Sequence, residues 1–180
     1  MSDEPVLRLA TAADHEAMER VMKASARELG AAFYDARQNA SFETHVAVVD
    51  TQLVGDGTYF VVEIHGVIAA CGGWSRRDKL FTGNDRSAGG ARLLVPPAEP
   101  ARVRAMFVSP TFARRGLGRM LLAACEAAAR REAFTHVELM ATLPGVPLYR
   151  VAGYVEQERF DVVLPDGVAL PCIRMQRSIA

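Results

Sequence analysis

Two hydrophobic rhythms alternate along this chain. Met18, Val21, Met22, Ser25 and Leu29 recur at three- and four-residue spacing, which predicts a helix stopping near Gly30. Thr11 offers a hydroxyl cap ahead of it, and Asp14 puts negative charge in its first turn. Residues 6–10 read as a short strand before that helix, and residues 34–49 hold a second, weaker helical pattern. The stretch 58–64 (TYFVVEI) is dense in β-branched and aromatic side chains, as strands are. A His65-Gly66 turn joins it to 67–74 (VIAACGGW), where Gly72-Gly73 predicts a bulge or a close backbone approach. Residues 102–108 (RVRAMFV) form the next strand. Residues 116–132 carry the clearest helix, with Leu117, Met120, Leu121, Ala124, Cys125 and Ala128 as its apolar stripe. A strand at 136–141 follows, then a short helix at 148–152 closed by Gly153. Strands at 154–164 and 168–175 flank Pro165-Asp166-Gly167, a hairpin turn signal.

Only residues 75–101 break the rhythm. Gly83, Gly89, Gly90, Pro96, Pro97 and Pro100 punctuate them without a period, and a loop of that length in a compact unit is usually functional. It reads as one insertion over one face, not as a linker. The 180 residues then fit a single α/β domain over 1–180, with its core at about 5–176.

Composition narrows the function classes. Half the residues are hydrophobic and 23% are charged, which excludes general disorder. Lys+Arg and Asp+Glu are both 21, so the basic excess of a nucleic-acid binder is missing. A local basic pocket for a small anion is still compatible with that balance. Lys23 and Lys79 are the only lysines, so 19 of the 21 basic residues are arginine and their positions matter more than their number. Cys71, Cys125 and Cys172 are far apart and odd in count, which argues against a disulfide framework or a Cys-rich zinc site. No metal site is expected. The acidic start lacks an apolar run, and no stretch approaches the roughly 18 apolar residues of a membrane span. A soluble cytoplasmic protein without a membrane partner is the expectation.

The chemistry is concentrated in residues 102–154. A strand runs into Phe112-Ala113-Arg114-Arg115-Gly116-Leu117-Gly118-Arg119 and then into the long helix. N–H groups at a helix start lack intrahelical partners and carry about +0.5 charge in aggregate. Gly116 and Gly118 remove Cβ atoms there, and Arg114, Arg115 and Arg119 add positive charge. The pattern predicts a pyrophosphate cradle. It is not a P-loop, because Arg119-Met120 stands where Lys-Ser/Thr is required. It is not a dinucleotide fingerprint either, because Leu121 stands where the third glycine belongs.

Ala113-Arg114-Arg115-Gly116-Leu117-Gly118 instead resembles the phosphate loop Gln/Arg-x-x-Gly-x-Gly/Ala of the GNAT acetyltransferase superfamily, departing at Ala113. The segment Pro147-Leu148-Tyr149-Arg150-Val151-Ala152-Gly153-Tyr154 is similar to the Leu-Tyr…Gly-Phe/Tyr close of that family's core. The order of strands and helices resembles it over nearly the whole chain. The resemblance implies an α/β (α+β) fold with a central mixed, twisted sheet, two splayed parallel strands and helices on both faces. It implies acetyl-CoA as co-substrate and transfer of the acetyl group to a primary amine of a small molecule or peptide. The backbone of Met106, Phe107 and Val108 is implied to pair with the pantetheine arm, and Arg114, Arg115, Gly116, Leu117, Gly118 and Arg119 to hold the pyrophosphate. Tyr149 matches the family's general acid, and Thr142 stands where many members have an asparagine. Tyr154 reads as packing. Glu63, Glu138 and His65 are conceivable bases, but each reads better as structural, so the base is unassigned. A non-catalytic acyl-CoA sensor and a binder of another nucleotide are the rival readings. The sequence leaves open the acceptor and whether the chain forms a homodimer.

Overall fold

A computed structural model of the protein describes residues 4–80 and 92–180. Seven strands form one sheet: β1 (Val6–Leu9), β2 (Tyr59–Ile64), β3 (Val67–Ser75), β4 (Ala101–Val108), β5 (His136–Thr142), β6 (Val155–Val163) and β7 (Ala169–Ser178). Their order is β1-β2-β3-β4-β5-β7-β6. Every neighbouring pair is antiparallel except β4 and β5. The mixed sheet expected from the strand order is therefore present.

The helices are α1 (His15–Gly30), α2 (Ala36–His45), α3 (Thr51–Gly55), α4 (Leu117–Arg131) and α5 (Val146–Val151). On α1, Met18, Val21, Met22 and Ser25 of the predicted stripe are buried, Leu29 is only half-buried, and Ala26 is buried in addition. The buried apolar side chains pack with Phe42 of α2 against Tyr59, Val61 and Cys71 on one face of the sheet. Leu117, Leu121, Leu122 and Cys125 of α4 cover the other face, together with Tyr149 of α5. Each fully buried aliphatic side chain of this kind contributes roughly 1.5–3 kcal/mol. Residues 34–49 yield α2, started by Asp35, whose carboxylate accepts from Gln38 N at 2.8 Å. The five-residue α3 is capped by Asp50 and was not foreseen.

The feature that matters for the site lies in β4. Its parallel pairing with β5 covers only Ala101↔Val137, Arg102↔Glu138 and Val103↔Leu139. Beyond Val103 no described strand pairs with β4 on that side, while β5 continues against β7 as far as Thr142↔Cys172. The two parallel strands thus splay apart. The cause is a bulge. Cys71↔Phe107 is followed by Gly73↔Arg104, so Gly72 opposes both Ala105 and Met106. Ala105 adopts a left-handed φ of 56° to accommodate the extra residue. Gly72 lies opposite it and leaves room for the Met106 side chain, whose Sδ would be 2.1 Å from a Cβ there. The bulge foreseen from Gly72-Gly73 is present, with its extra residue on β4.

The ends of the 75–101 segment are tied down. Ser75 ends β3, Ala101 begins β4, and Arg77 bridges Leu93. Arg102 contacts Asp78 at 2.9 Å and pairs with Glu138. The middle of this predicted insertion, residues 81–91, lies outside the described residues.

Candidate active site

A short three-residue turn, Pro110–Phe112, leads β4 into the loop before α4. Arg114 and Gly116 both take left-handed backbone, with φ of 62° and 82°. This double reversal turns the chain sharply and sets the start of α4 over the end of β4. The first helical hydrogen bond runs from Met120 N to Gly116 O at 3.0 Å. The N–H groups of Leu117, Gly118 and Arg119 therefore precede any intrahelical donor and find no acceptor among the described residues. A Cβ at Gly116 would meet nothing within 4 Å, so this face of the loop is open. Gly118 is buried, and a Cβ there would lie 2.9 Å from Leu148 Cδ2 and 3.7 Å from Val108 Cγ2. One glycine thus keeps the loop accessible, and the other packs α4 against α5 and β4.

Charge supports the same reading. Most arginines of the described residues sit beside carboxylates, as Arg8 does with Asp14 at 2.8 Å and Arg177 with Glu126 at 2.9 Å. Arg114, Arg115 and Arg119 are exposed and have no carboxylate partner among the described residues. The Arg115 guanidinium lies 5.7 Å over the Phe112 ring. Three guanidinium groups without a carboxylate partner and three N–H groups without an acceptor among the described residues concentrate positive charge at the start of α4.

A cavity opens where the strands part. Residues 103–107 of β4 line it on one side, and Met140, Thr142 and Tyr149 on the other. Val46, just after α2, and Leu80 close its remaining wall. Tyr149 is buried, with its ring 5.8 Å from that of Tyr154. Its hydroxyl takes no hydrogen bond from any described residue. Burial pushes that hydroxyl well above the usual tyrosine range, so it is a neutral donor at any physiological pH. Gly145 leaves room for the ring, because a Cβ there would lie 2.8 Å from Tyr149 Cε2. Thr142 ends β5 half-buried in the same wall.

The other residues singled out from sequence separate cleanly. Met106 and Phe107 line the cavity, and the Phe107 ring stacks on Phe42 with centroids 6.1 Å apart. Val108 closes β4 against Ala70 of β3. Tyr154 is packing with a polar anchor, donating to Glu126 Oε1 at 3.0 Å. Glu63 pairs with Arg8, and Glu138 with Arg102 and Arg174. His65 occupies the β2–β3 turn with a φ of 53°. None of the three lines the cavity.

The three cysteines are buried and free. Burial pushes the thiols of Cys71 and Cys172 up to about 12, and that of Cys125 higher still. A raised thiol pKa leaves no thiolate near pH 8. Iodoacetamide at pH 8 is therefore expected to leave all three cysteines unmodified in the folded protein, while urea exposes them to rapid labelling. Mass spectrometry checks this, and fast native-state modification of any one would contradict it.

Sequence reasoning missed three contributors. Tyr59 is wholly buried and donates from its hydroxyl to the Ala105 carbonyl at 3.3 Å, which supports the bulge from below. Tyr34 accepts from Leu143 N at 2.9 Å and donates to Pro171 O at 2.9 Å, tying the loop after Thr142 to β7. Arg104, read only as a place where no acid stands, is a buried side chain of the cavity wall.

A sequence model of the Acetyltransferase (GNAT) family matches residues 15–154. The chain belongs to this family. The match takes in the splayed strands, the glycine loop and Tyr149. No curated protein matches the chain. Among solved structures, a GCN5-related N-acetyltransferase of Rhodopseudomonas palustris is similar at a TM-score of 0.74 and 20% identity, over 99% of this chain and 98% of its own. The PaiA N-acetyltransferase of Thermoplasma acidophilum, solved in complex with coenzyme A, has a TM-score of 0.67 and 11% identity, over 97% and 99%. YncA of Salmonella typhimurium, solved with its cofactor acetyl-CoA, has a TM-score of 0.62 and 19% identity, over 98% and 95%. At these identities the likeness is one of GNAT fold. No described helix of this GNAT chain is long and apolar enough to cross a membrane.

Proposed function

We propose that this GNAT enzyme transfers the acetyl group of acetyl-CoA directly to a primary amine, with Tyr149 facing the departing sulfur. The observation that carries the reading is the continuity of three features: a free strand edge from Arg104 to Val108, an anion cradle at its end, and a buried phenol in the cavity beside it. Acetyl-CoA supplies the activated acyl carbon and a good leaving group. The residues present fit it. The unpaired β4 edge of Met106, Phe107 and Val108 offers backbone hydrogen bonds to the amides of the pantetheine arm, as a strand edge takes an added strand. Arg114, Arg115, Gly116, Leu117, Gly118 and Arg119 receive the pyrophosphate through free N–H groups and guanidinium charge.

The reaction balances simply. The amine lone pair forms the C–N bond, the C–S bond breaks, the amine sheds one proton and the thiolate gains one. Tyr149 donates a hydrogen bond to the sulfur as negative charge develops there. Full transfer from a buried phenol to a thiolate is uphill, so its contribution is electrostatic stabilisation more than proton delivery. No carboxylate or imidazole lines the cavity among the described residues, so the amine enters as its free base and its proton leaves to water. Thr142 lines the cavity opposite β4, and the next residue, Leu143, is held by Tyr34.

Turnover measured as free CoA release across a panel of primary amines tests the reading. Release above the hydrolytic background with at least one amine is expected. Tight acetyl-CoA binding without turnover of any amine would favour a sensor.

Tyr59→Phe keeps the ring and removes the hydrogen bond to Ala105. It is expected to lower stability by about 1 kcal/mol and to weaken acetyl-CoA binding by several-fold through a loosened bulge. Calorimetry with acetyl-CoA checks this, and unchanged affinity would show that Tyr59 does not support the cofactor edge.

A further inference from the structure

On the acetyltransferase reading above, we infer that Tyr34 is a positioning residue for the Tyr149 hydroxyl, and that Phe42 links it across the cleft to the cofactor edge of β4. Beyond Val103↔Leu139 no backbone rung joins β4 to β5. A gap between strands has no ladder to set its width. Side chains must hold the two walls in register.

The β5 wall is pinned where its own ladder stops. The last rung between β5 and β7 is Thr142↔Cys172. The next residues on the two strands, Leu143 and Pro171, are joined through the Tyr34 hydroxyl instead. It accepts from Leu143 N at 2.9 Å and donates to Pro171 O at 2.9 Å. One hydroxyl can do both, and a ring without it would leave both backbone groups short of a partner. Burial raises the Tyr34 hydroxyl above the ordinary tyrosine range, so it stays a donor. Leu143 begins the three-residue turn Leu143–Gly145, which runs without a break into α5. Tyr149 rides on that helix. The hydrogen bond to Leu143 N therefore anchors the first residue of the unit that carries Tyr149.

The same ring reaches the opposite wall. Tyr34 lies between α1 and α2, and its ring meets Phe42 edge-on, with centroids 5.7 Å apart and planes at 68°. Phe42 stacks in turn on Phe107, with centroids 6.1 Å apart and planes at 26°. Tyr34 and Phe42 are 5% and 3% exposed, too buried to be contacts made in passing. Phe107 is one of the three residues whose backbone is assigned to the pantetheine arm. The three rings thus run from the cofactor edge to the end of β5. They fix how far the thioester stands from the Tyr149 hydroxyl.

The test is a double-mutant cycle. It reads the single-turnover rate of acetyl transfer from bound acetyl-CoA to the best amine of the panel. Tyr34→Phe keeps the ring on Phe42 and removes both hydrogen bonds. It should lower the rate by about 10-fold or more, since a small misplacement of a catalytic group is costly. Acetyl-CoA Kd should stay within about 2-fold, and Leu143 N–H should lose protection from hydrogen exchange. In a Tyr149→Phe background the same change should cost less than about 2-fold, because no hydroxyl is left to place. A merely structural Tyr34 would lower the rate equally in both backgrounds. Phe42→Leu, which removes the ring on Phe107, should lower the rate and also weaken acetyl-CoA binding several-fold. Unchanged affinity there overturns the link across the cleft. An unchanged rate in Tyr34→Phe, unchanged protection of Leu143, or equal losses in the two backgrounds overturns the positioning role and leaves acetyl transfer standing. Tyr149→Phe as fast as native overturns it too, since nothing would need placing. Failure of the native protein to release CoA with any amine overturns the acetyltransferase reading itself.

Discussion

Gly116→Val is expected to weaken acetyl-CoA binding by at least about 10²-fold, the loss of two charge-assisted hydrogen bonds. The reason is backbone conformation, not lack of room. Gly116 has a φ of 82°, and a Cβ there would meet nothing within 4 Å. A β-branched residue at that φ is strained by about 1–3 kcal/mol. The loop relieves the strain by rotating, which turns the N–H groups of Leu117 and Gly118 away from the pyrophosphate. The fold should survive, because Gly116 is exposed. Gly167→Val is the control. Gly167 has a φ of 79° and open space around it, but lies in the β6–β7 turn. The two variants should lose similar stability, and only Gly116→Val should lose acetyl-CoA. Isothermal calorimetry reads both. Equal affinities in the two would sink the loop as the phosphate site.

Tyr149→Phe is expected to lower kcat by about 10²–10³-fold, the usual loss when one donor to developing negative charge is removed. The ring, its packing on Tyr154 and its contact with Gly145 are kept, so stability and acetyl-CoA affinity should barely change. The fall should appear equally in kcat and kcat/KM, because the hydrogen bond strengthens only in the transition state. Gly145→Val offers an independent route to the same defect, since its side chain would displace the ring while leaving the hydroxyl present. Full kcat in Tyr149→Phe, with chemistry shown to be rate-limiting, would reduce Tyr149 to an aromatic anchor.

The parts of this fold that sequence revealed are those set by short-range rules. The stripe on α4, the TYFVVEI strand and the Pro165-Asp166-Gly167 turn each declare themselves within a dozen residues. The glycine loop did so too, because its chemistry is a property of a helix start. Long-range features were hidden. Ala105 carries no mark of its left-handed backbone, and the only hint of the bulge lay across the sheet at Gly72. Arg104 and Asp50 are 54 residues apart in number and share a buried contact that no local pattern encodes. The same holds for Tyr34, whose hydroxyl reaches Leu143 and Pro171. The five residues of α3 are too few for a period, and only Asp50 ahead of them, an N-cap, was there to be read.

The central claim is that one continuous backbone surface, the β4 edge followed by the α4 start, receives acetyl-CoA. Titrating acetyl-CoA into isotope-labelled protein and following backbone amide resonances tests it most directly. The predicted result is that the largest shifts fall on the amides of Met106, Phe107 and Val108 and on those from Arg114 to Arg119, with Gly167 and its turn unmoved. Saturable shifts that leave both segments unchanged and cluster elsewhere would contradict it.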